Sequence, residues 1–169
     1  MDRQLLLSYL AGVIDADGCI TIGRKVKNDK RCLRPSVYYE PKIILTEVNT
    51  IIPDLLHVTF GSRRSEWQPK NPKHKRWHIW ASSGPASTTI IKELLPYLRL
   101  KRRQGEIAIE LQELIERQWT TLKHVQHHII PHEFNLERDE LWKRMTALNQ
   151  PTNRRRHVTD PAVELASMF

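Results

Sequence analysis

Residues 10–18 read LAGVIDADG and close the first apolar segment of the chain. The apolar residues before and within this stretch repeat with helical spacing, which predicts a helix over residues 3–14. Four of its positions fall on one side of that helix: Leu6, Leu7, Leu10 and either Val13 or Ile14. Asp15 and Asp17 follow directly, and Gly18 breaks the helix. These carboxylates either hold a turn or bind a metal ion, and the stretch by itself leaves both readings open.

Length and charge limit what the chain can do. Its 169 residues suit one domain with a core of its own. Lysine and arginine number 27 against 19 aspartates and glutamates, and the net charge of +8 predicts a polyanionic partner, most often nucleic acid. A soluble basic protein without such a partner is the alternative.

The sequence shows no sign of a membrane or secretory segment. No apolar run reaches the roughly 18 residues that span a bilayer, and the N-terminus lacks the layout of a signal peptide. Cys19 and Cys32 are the only cysteines, and they form no disulfide framework or zinc ribbon. We therefore expect an intracellular protein that is not secreted and has no membrane partner.

Alternating apolar and polar residues predict two pairs of strands, and helical periodicity predicts helices between and after them. The strands are expected at 19–27, 37–46, 62–68 and 76–82. The helices are expected at 3–14, 49–57, 85–97, 103–117 and 136–148. Pro41 weakens the second strand or marks an edge or a bulge. Two antiparallel hairpins with helices on one face make an α+β fold whose other sheet face is polar and open.

The stretch LAGVIDADG resembles the LAGLIDADG signature of homing endonucleases and differs from it only at Val13, where the signature has leucine. The predicted order α-β-β-α-β-β-α is similar to that family's fold, and Leu100-Lys101 in YLRLKRRQ looks like its basic segment after the fourth strand and the next helix. The resemblance covers roughly residues 5–120. It implies an antiparallel, saddle-shaped DNA-binding sheet in a core domain at 1–120, with a C-terminal helical extension and basic tail at 121–169.

One copy of the motif is present, and the family's single-motif members are homodimers. The resemblance therefore implies that the chain forms half of a site and that two copies of the motif helix pack on the dyad. Small residues at Ala11 and Gly12 would let the two backbones approach closely. The predicted dimer interface consists of Leu7, Leu10, Ala11, Gly12 and Ile14.

The resemblance also gives the carboxylates a chemical role. Phosphodiester hydrolysis needs stabilisation of negative charge on the attacking and leaving oxygens, which divalent metals supply. Asp17 matches the family's metal-binding acid, and the backbone carbonyl of Ala16 would be a further ligand. Hard cations prefer oxygen ligands, so the implied cofactor is Mg²⁺, with Mn²⁺ as a substitute and Ca²⁺ binding without supporting cleavage. Asp15 either shares in catalysis or holds the turn.

Two further residues match catalytic positions of the family. Glu47 stands where the family has a polar residue, commonly glutamine, that organises water near the metal. Its alternative is a surface acid at a helix start. Lys101 matches a lysine beside the attacking water or the scissile phosphate, and its alternative is a solvated member of a basic run. A basic residue that some relatives place soon after the Glu47 position is not evident in TIIPDLL.

DNA recognition is expected on the exposed strand faces, because a two-stranded ribbon fits the major groove. The candidate DNA-binding residues are Thr21, Lys25, Lys27, Tyr38, Glu40, Lys42, Arg64, Glu66, Gln68, Lys70, Lys73 and Lys75. Lys70 and Lys73 are expected to contact phosphates. The face of the third and fourth strands stays open, since a shift of one residue swaps it. The tryptophans at 67, 77 and 80 are expected to lie at least half in the core.

These observations predict a site-specific double-strand DNA endonuclease. The resemblance implies an intron-encoded homodimer that acts on a long pseudo-palindromic site and leaves short 3′ overhangs. The alternative is a non-cleaving DNA-binding regulator or an RNA-splicing maturase of the same fold, with intron RNA as a partner. The histidines at 124–132 and the arginines at 154–156 receive no assigned role.

Overall fold

A computed structural model describes residues 2–27, 36–71, 73–122 and 132–150, and these residues form an α+β fold. The helices are α1 Arg3–Ala16, α2 Ile51–Phe60, α3 Pro85–Leu94, α4 Arg102–Leu122 and α5 His132–Asn149. The strands are β1 Cys19–Lys27, β2 Ser36–Glu47, β3 Arg63–Trp67 and β4 Trp77–Ser83. The predicted order α-β-β-α-β-β-α with additional C-terminal helices is confirmed. The arginines at 154–156 and the histidines at 124, 127 and 128 lie outside the described residues.

Helix ends differ from the sequence prediction by a few residues. α3 ends at Leu94 and not near residue 97, because Pro96 has no N–H with which to continue the helical hydrogen bonds. α4 runs on to Leu122, past the predicted end at 117. None of the described helices is long and apolar enough to cross a membrane.

The four strands form one antiparallel sheet in the order β1-β2-β4-β3. One face is buried, and its residues alternate along the strands as the sequence predicts for the first two. Ile20 pairs with Ile43 across β1 and β2, and both are fully buried. The helices cover this face, and the opposite face, which carries most of the polar strand residues, is open.

Pro41 lies inside β2, which is paired on both sides. Its position is tolerated because β4 ends at Ser83, opposite Lys42, so that the ladder to β4 does not reach the proline. The Pro41 carbonyl instead accepts a hydrogen bond from the Gly84 N–H at 2.9 Å, at the start of α3. The proline therefore marks the point where β2 becomes an edge.

A polar cluster fastens α5 to the covered face of β1 and β2. Arg24 donates to the Tyr39 hydroxyl at 3.2 Å, and that hydroxyl donates to Asp139 of α5 at 2.7 Å. The Arg24 guanidinium also lies 5.5 Å from the centre of the Trp142 ring. Burial raises the pKa of Tyr39, whereas the hydrogen bond from Tyr39 lowers the pKa of Asp139. Asn149 donates to the Ile20 carbonyl at 3.0 Å and secures the end of α5.

Candidate functional site

The C-terminal end of α1 presents Asp17 to solvent. The Asp17 N–H donates to the Val13 carbonyl at 2.9 Å, and the Gly18 N–H donates to the Ile14 carbonyl at 3.1 Å. A Cβ on Gly18 would lie 2.9 Å from the Ile14 Cα, so only glycine lets β1 leave the helix this sharply. The exposed Asp17 side chain is therefore held where helix becomes strand.

Asp15 and Lys101 join this end of α1 to the segment between α3 and α4. The Asp15 carboxylate accepts the Arg99 N–H at 2.6 Å and the Lys101 N–H at 2.8 Å. The Lys101 ammonium donates to the Ile14 carbonyl at 2.7 Å and to the Asp15 carbonyl. Lys101 is buried, so its alternative as a solvated member of a basic run is wrong. Asp15 holds the turn, as one of its two alternatives expects.

Glu47 ends β2 near the start of β1. Cys19 pairs with Ile44, so the next residues of β2 run past the end of α1 toward the region of Asp17. Glu47 is half-buried and pairs with His78 of β4. The strand register thus brings Asp17 and Glu47 to the same end of the β1–β2 ladder.

The donors at this end suit a hard divalent cation. A carboxylate and backbone carbonyl oxygens are the ligands that Mg²⁺ accepts, and the C-terminal end of a helix carries the negative pole that favours a cation. Asp17 is exposed there, next to the carbonyl of Ala16. Within the described residues of one chain, no three His, Cys, Asp or Glu side chains gather into a metal-sized group.

The open face of β1 and β2 carries a fixed triad of charges. The Glu40 carboxylate lies 2.8 Å from the Lys25 ammonium and 3.0 Å from that of Lys42. A Cβ on Gly23 would lie 2.6 Å from the Lys42 Cε, so the bare glycine lets the lysine stem cross β1. Burial raises the pKa of Glu40, but the hydrogen bonds from both lysines outweigh it and the net pKa is lowered.

The other DNA-binding candidates of β1 and β2 lie on the open face of the sheet, as predicted. Thr21 pairs with Lys42, and Lys25 pairs with Tyr38, all on the open side of the sheet. The side chain of Lys27 lies outside the described part of the chain. The predicted open face of β1 and β2 is therefore the one that the structure leaves uncovered.

The sequence left the face of β3 open, and the structure places two of its DNA-binding candidates, Arg64 and Glu66, on the covered side. Arg64 pairs with the buried Trp80 and forms an ion pair with Asp54 of α2. Glu66 pairs with His78, which is also buried on the covered side. In SRRSEWQ charged residues occupy both alternating sets, so the pattern could not select a face. The residues of β3 on the open side are Arg63, Ser65 and Trp67.

The remaining candidates follow β3 and surround an exposed aromatic pair. Gln68, Lys70, Lys73 and Lys75 are exposed in the connection to β4. Trp67 and Trp77 are 53% and 44% exposed, with ring centres 6.1 Å apart and edge to face. The expectation of at least half burial is correct for Trp80, which is fully buried, and for Trp77, and it is wrong for Trp67.

Solved structures share this arrangement at low sequence identity. The homing endonuclease I-CvuI, in complex with a DNA target in the presence of Mg, matches with a TM-score of 0.63 and 20% identity over 90% of this chain and 92% of that chain. The archaeal intron-encoded homing endonuclease I-Vdi141I, complexed with DNA, matches with a TM-score of 0.59 and 13% identity over 89% and 87%. The LAGLIDADG homing endonuclease I-SmaMI, bound to cleaved DNA, matches at 0.61 and 12% over 85% of this chain and 45% of that chain.

The chain has the LAGLIDADG homing-endonuclease fold. No family model matches its sequence, and no curated protein does. The likeness therefore lies in the arrangement of the elements, together with the near-identity of the motif at residues 10–18.

The motif helix of this LAGLIDADG fold has a second apolar side. Among the five residues predicted for a dimer interface, Leu7, Leu10, Ala11 and Ile14 are buried within their own chain, and only Gly12 is exposed. The prediction is wrong for those four, because they pack into the core of the same chain. The apolar and small residues that α1 exposes are spaced four, three and four apart and are here called the α1 outer stripe: Leu5, Tyr9, Gly12 and Ala16.

The sequence contains apolar residues at the outer-stripe positions of α1, but the stronger helical repeat on the core side drew the dimer prediction to the wrong residues. Leu5 and Tyr9 are apolar residues outside the predicted core side, and they are 64% and 51% exposed. A Cβ on Gly12 would meet no atom within 4 Å. Packing among the described residues therefore gives no reason for a glycine in the middle of α1.

Proposed function

We propose that this protein is a site-specific DNA endonuclease that cuts both strands by divalent-metal-dependent phosphodiester hydrolysis. The observation that carries the proposal is the exposed Asp17, held at the end of a motif helix in a fold that similar proteins use in complexes with DNA. A net charge of +8 supports a nucleic-acid partner.

Asp17 and the Ala16 carbonyl would hold the metal, which is Mg²⁺ or Mn²⁺ in the cleaving enzyme and Ca²⁺ in a bound but inactive one. The metal supplies stabilisation of negative charge on the oxygens around the scissile phosphorus. Glu47, at the same end of the β1–β2 ladder, would orient water and accept its proton. I-CvuI was crystallised with its own target in the presence of Ca, and with the I-CreI target, which was not cleaved, in the presence of Mg; both structures support use of a divalent ion here.

A homodimer would complete the site. Two copies related by a dyad would bring the α1 outer stripes together, and each copy would supply one Asp17 for one DNA strand. This chain spans 45% of I-SmaMI, which supports its reading as half of a larger arrangement. A symmetric dimer would recognise a long pseudo-palindromic site and leave short 3′ overhangs. The intron-encoded I-Vdi141I supports an intron-encoded origin.

DNA would lie along the open face of the sheet. The triad of Lys25, Glu40 and Lys42 offers two donors and one acceptor to base edges in the major groove. Lys70, Lys73 and Lys75 are exposed in the β3–β4 connection and would contact phosphates, which fix the position of the protein and carry no sequence information.

Cleavage of a randomised duplex library tests the proposed function. The wild type with Mg²⁺ should produce defined double-strand breaks centred on a pseudo-palindrome, whereas Ca²⁺ or EDTA should give none. Asp17→Asn should remove cleavage and keep binding to the selected site in Ca²⁺. Selective binding without breaks under any metal would instead support a regulator or a maturase that binds intron RNA. Undiminished cleavage by Asp17→Asn would place the active site elsewhere.

A further inference from the structure

Two side chains hold the end of α1 and the α3–α4 segment in a reciprocal contact, the Asp15–Lys101 clasp. Each partner binds the backbone of the other's segment. The Asp15 carboxylate accepts two N–H groups, from Arg99 and Lys101. The Lys101 ammonium returns two hydrogen bonds, to the carbonyls of Ile14 and Asp15. Residues that lie 84 to 87 positions apart in sequence are thus joined at one turn.

We propose that Lys101 is a positioning residue: its ammonium fixes the backbone turn that carries Asp17 and does not act on the scissile phosphate. This inference rests on the proposed function, and it assigns Lys101 differently from the sequence resemblance. Lys101 is 6% exposed, and its ammonium lies against the backbone carbonyls at the end of α1.

The Lys101 ammonium donates its hydrogen bonds to the two backbone carbonyls that precede the proposed metal ligand, the Ala16 carbonyl. The last carbonyls of a helix lack intrahelical partners, and a cation there is favoured by the helix dipole. Val13 and Ile14 accept the N–H groups of Asp17 and Gly18, and Lys101 binds the carbonyls of Ile14 and Asp15. The next carbonyl along the chain is that of Ala16. Fixing the two carbonyls before it fixes the orientation of the ligand itself.

The clasp also implies different roles for the two carboxylates of the motif, Asp15 and Asp17. Both oxygens of Asp15 accept backbone N–H groups, Oδ2 from Arg99 and Oδ1 from Lys101. Asp17 is exposed to solvent. Asp15 is therefore a positioning residue together with Lys101, and Asp17 is the carboxylate of the motif that would meet the metal.

Amide hydrogen exchange in the free protein tests the clasp without any cleavage assay. Lys101→Met and Asp15→Ala should each accelerate exchange at the N–H groups of Asp17 and Gly18, which bond to the helix end. Arg102→Met is the matched control, because Arg102 is the exposed neighbour in the same segment and pairs with Glu106. Exchange at both amides unchanged in Lys101→Met would overturn the proposal.

Cleavage kinetics separate positioning from direct chemistry. Lys101→Met should slow cleavage at saturating DNA by about 10- to 100-fold, as expected for a group that orients a metal ligand, and higher Mg²⁺ should restore part of the rate. The pH–rate profile should keep its shape, and Lys101→Arg, which retains charge and donors, should recover most of the rate. The Asp15→Ala and Lys101→Met effects should not multiply in the double variant, because both remove one clasp.

The outcomes distinguish this inference from the proposed function. If the wild type cuts no library, the nuclease proposal fails, and the exchange experiment still reports on the clasp. If the wild type cuts and Lys101→Met stops cleavage with wild-type amide exchange and no response to Mg²⁺, the ammonium acts on the reacting atoms and the positioning role is overturned.

Discussion

The two sides of α1 both carry apolar residues, but one side is buried and the other is exposed. On the inner side Leu10 and Ile14 are 0% exposed, whereas on the α1 outer stripe Leu5 and Tyr9 are 64% and 51% exposed. An amphipathic surface helix normally buries one apolar side and shows a polar one. On α1 both sides carry apolar residues, and the described part of its own chain covers only one of them. The difference supports the proposal that a second copy of the chain covers the α1 outer stripe.

Replacing the same residue type on each side should separate the core from the interface. Leu10→Ala should lower the free energy of unfolding by about 2–5 kcal/mol, because it leaves a cavity in the core. Leu5→Ala, its matched control, should leave the monomer's stability within about 0.5 kcal/mol of wild type. Urea unfolding at several protein concentrations measures both, since dimer formation makes the midpoint depend on concentration. Equal losses at all concentrations would contradict the comparison.

A charge on the outer stripe should dissociate the proposed dimer. In Leu5→Glu the dyad brings two like charges into an apolar interface, and we expect a loss of at least about 2 kcal/mol in dimer stability. Leu136→Glu on α5 is the control, because that leucine is 57% exposed on another helix. Sedimentation velocity should show monomers for Leu5→Glu and dimers for Leu136→Glu. Dimers in both would place the interface elsewhere.

The smallest effect is expected for Gly12→Ala, which should raise the stability of the monomer and lower that of the dimer. Gly12→Ala adds a Cβ that meets no atom within 4 Å of its own chain, so better helix propensity should stabilise the monomer by up to about 1 kcal/mol. The same methyl group should weaken the dimer if the two helix backbones approach closely at Gly12. Thermal unfolding and the dimer dissociation constant measure the two effects. An unchanged dissociation constant would show that the glycine is not at the contact.

The sequence correctly predicted those elements whose residue pattern is compatible with only one buried face or one end point. Alternation in CITIGRKVK places Ile20 and Ile22 inward, and the structure buries both. The motif also predicted that a helix ends beside Asp17. Both predictions depend on neighbouring residues alone, which is why local spacing sufficed.

Three features could not be predicted because their patterns allow more than one solution. The apolar residues of α1 extend beyond its predicted core side and do not tell which of them would meet a second molecule, and the charges in β3 fit either sheet face. The clasp of Lys101 joins segments far apart in sequence, and its acceptors are backbone carbonyls, which every residue has. Only the packed structure selects among such alternatives.

Cleavage by a mixed dimer tests most directly the claim that each chain supplies half of the active site. Wild-type and Asp17→Asn chains carrying different tags would be co-expressed, and the doubly tagged species isolated and assayed on the site found with the library. We expect wild-type dimers to make double-strand breaks and the mixed dimer to cut one strand at most. Double-strand breaks by the mixed dimer at the wild-type rate would mean that one chain holds a complete site, which would contradict the account.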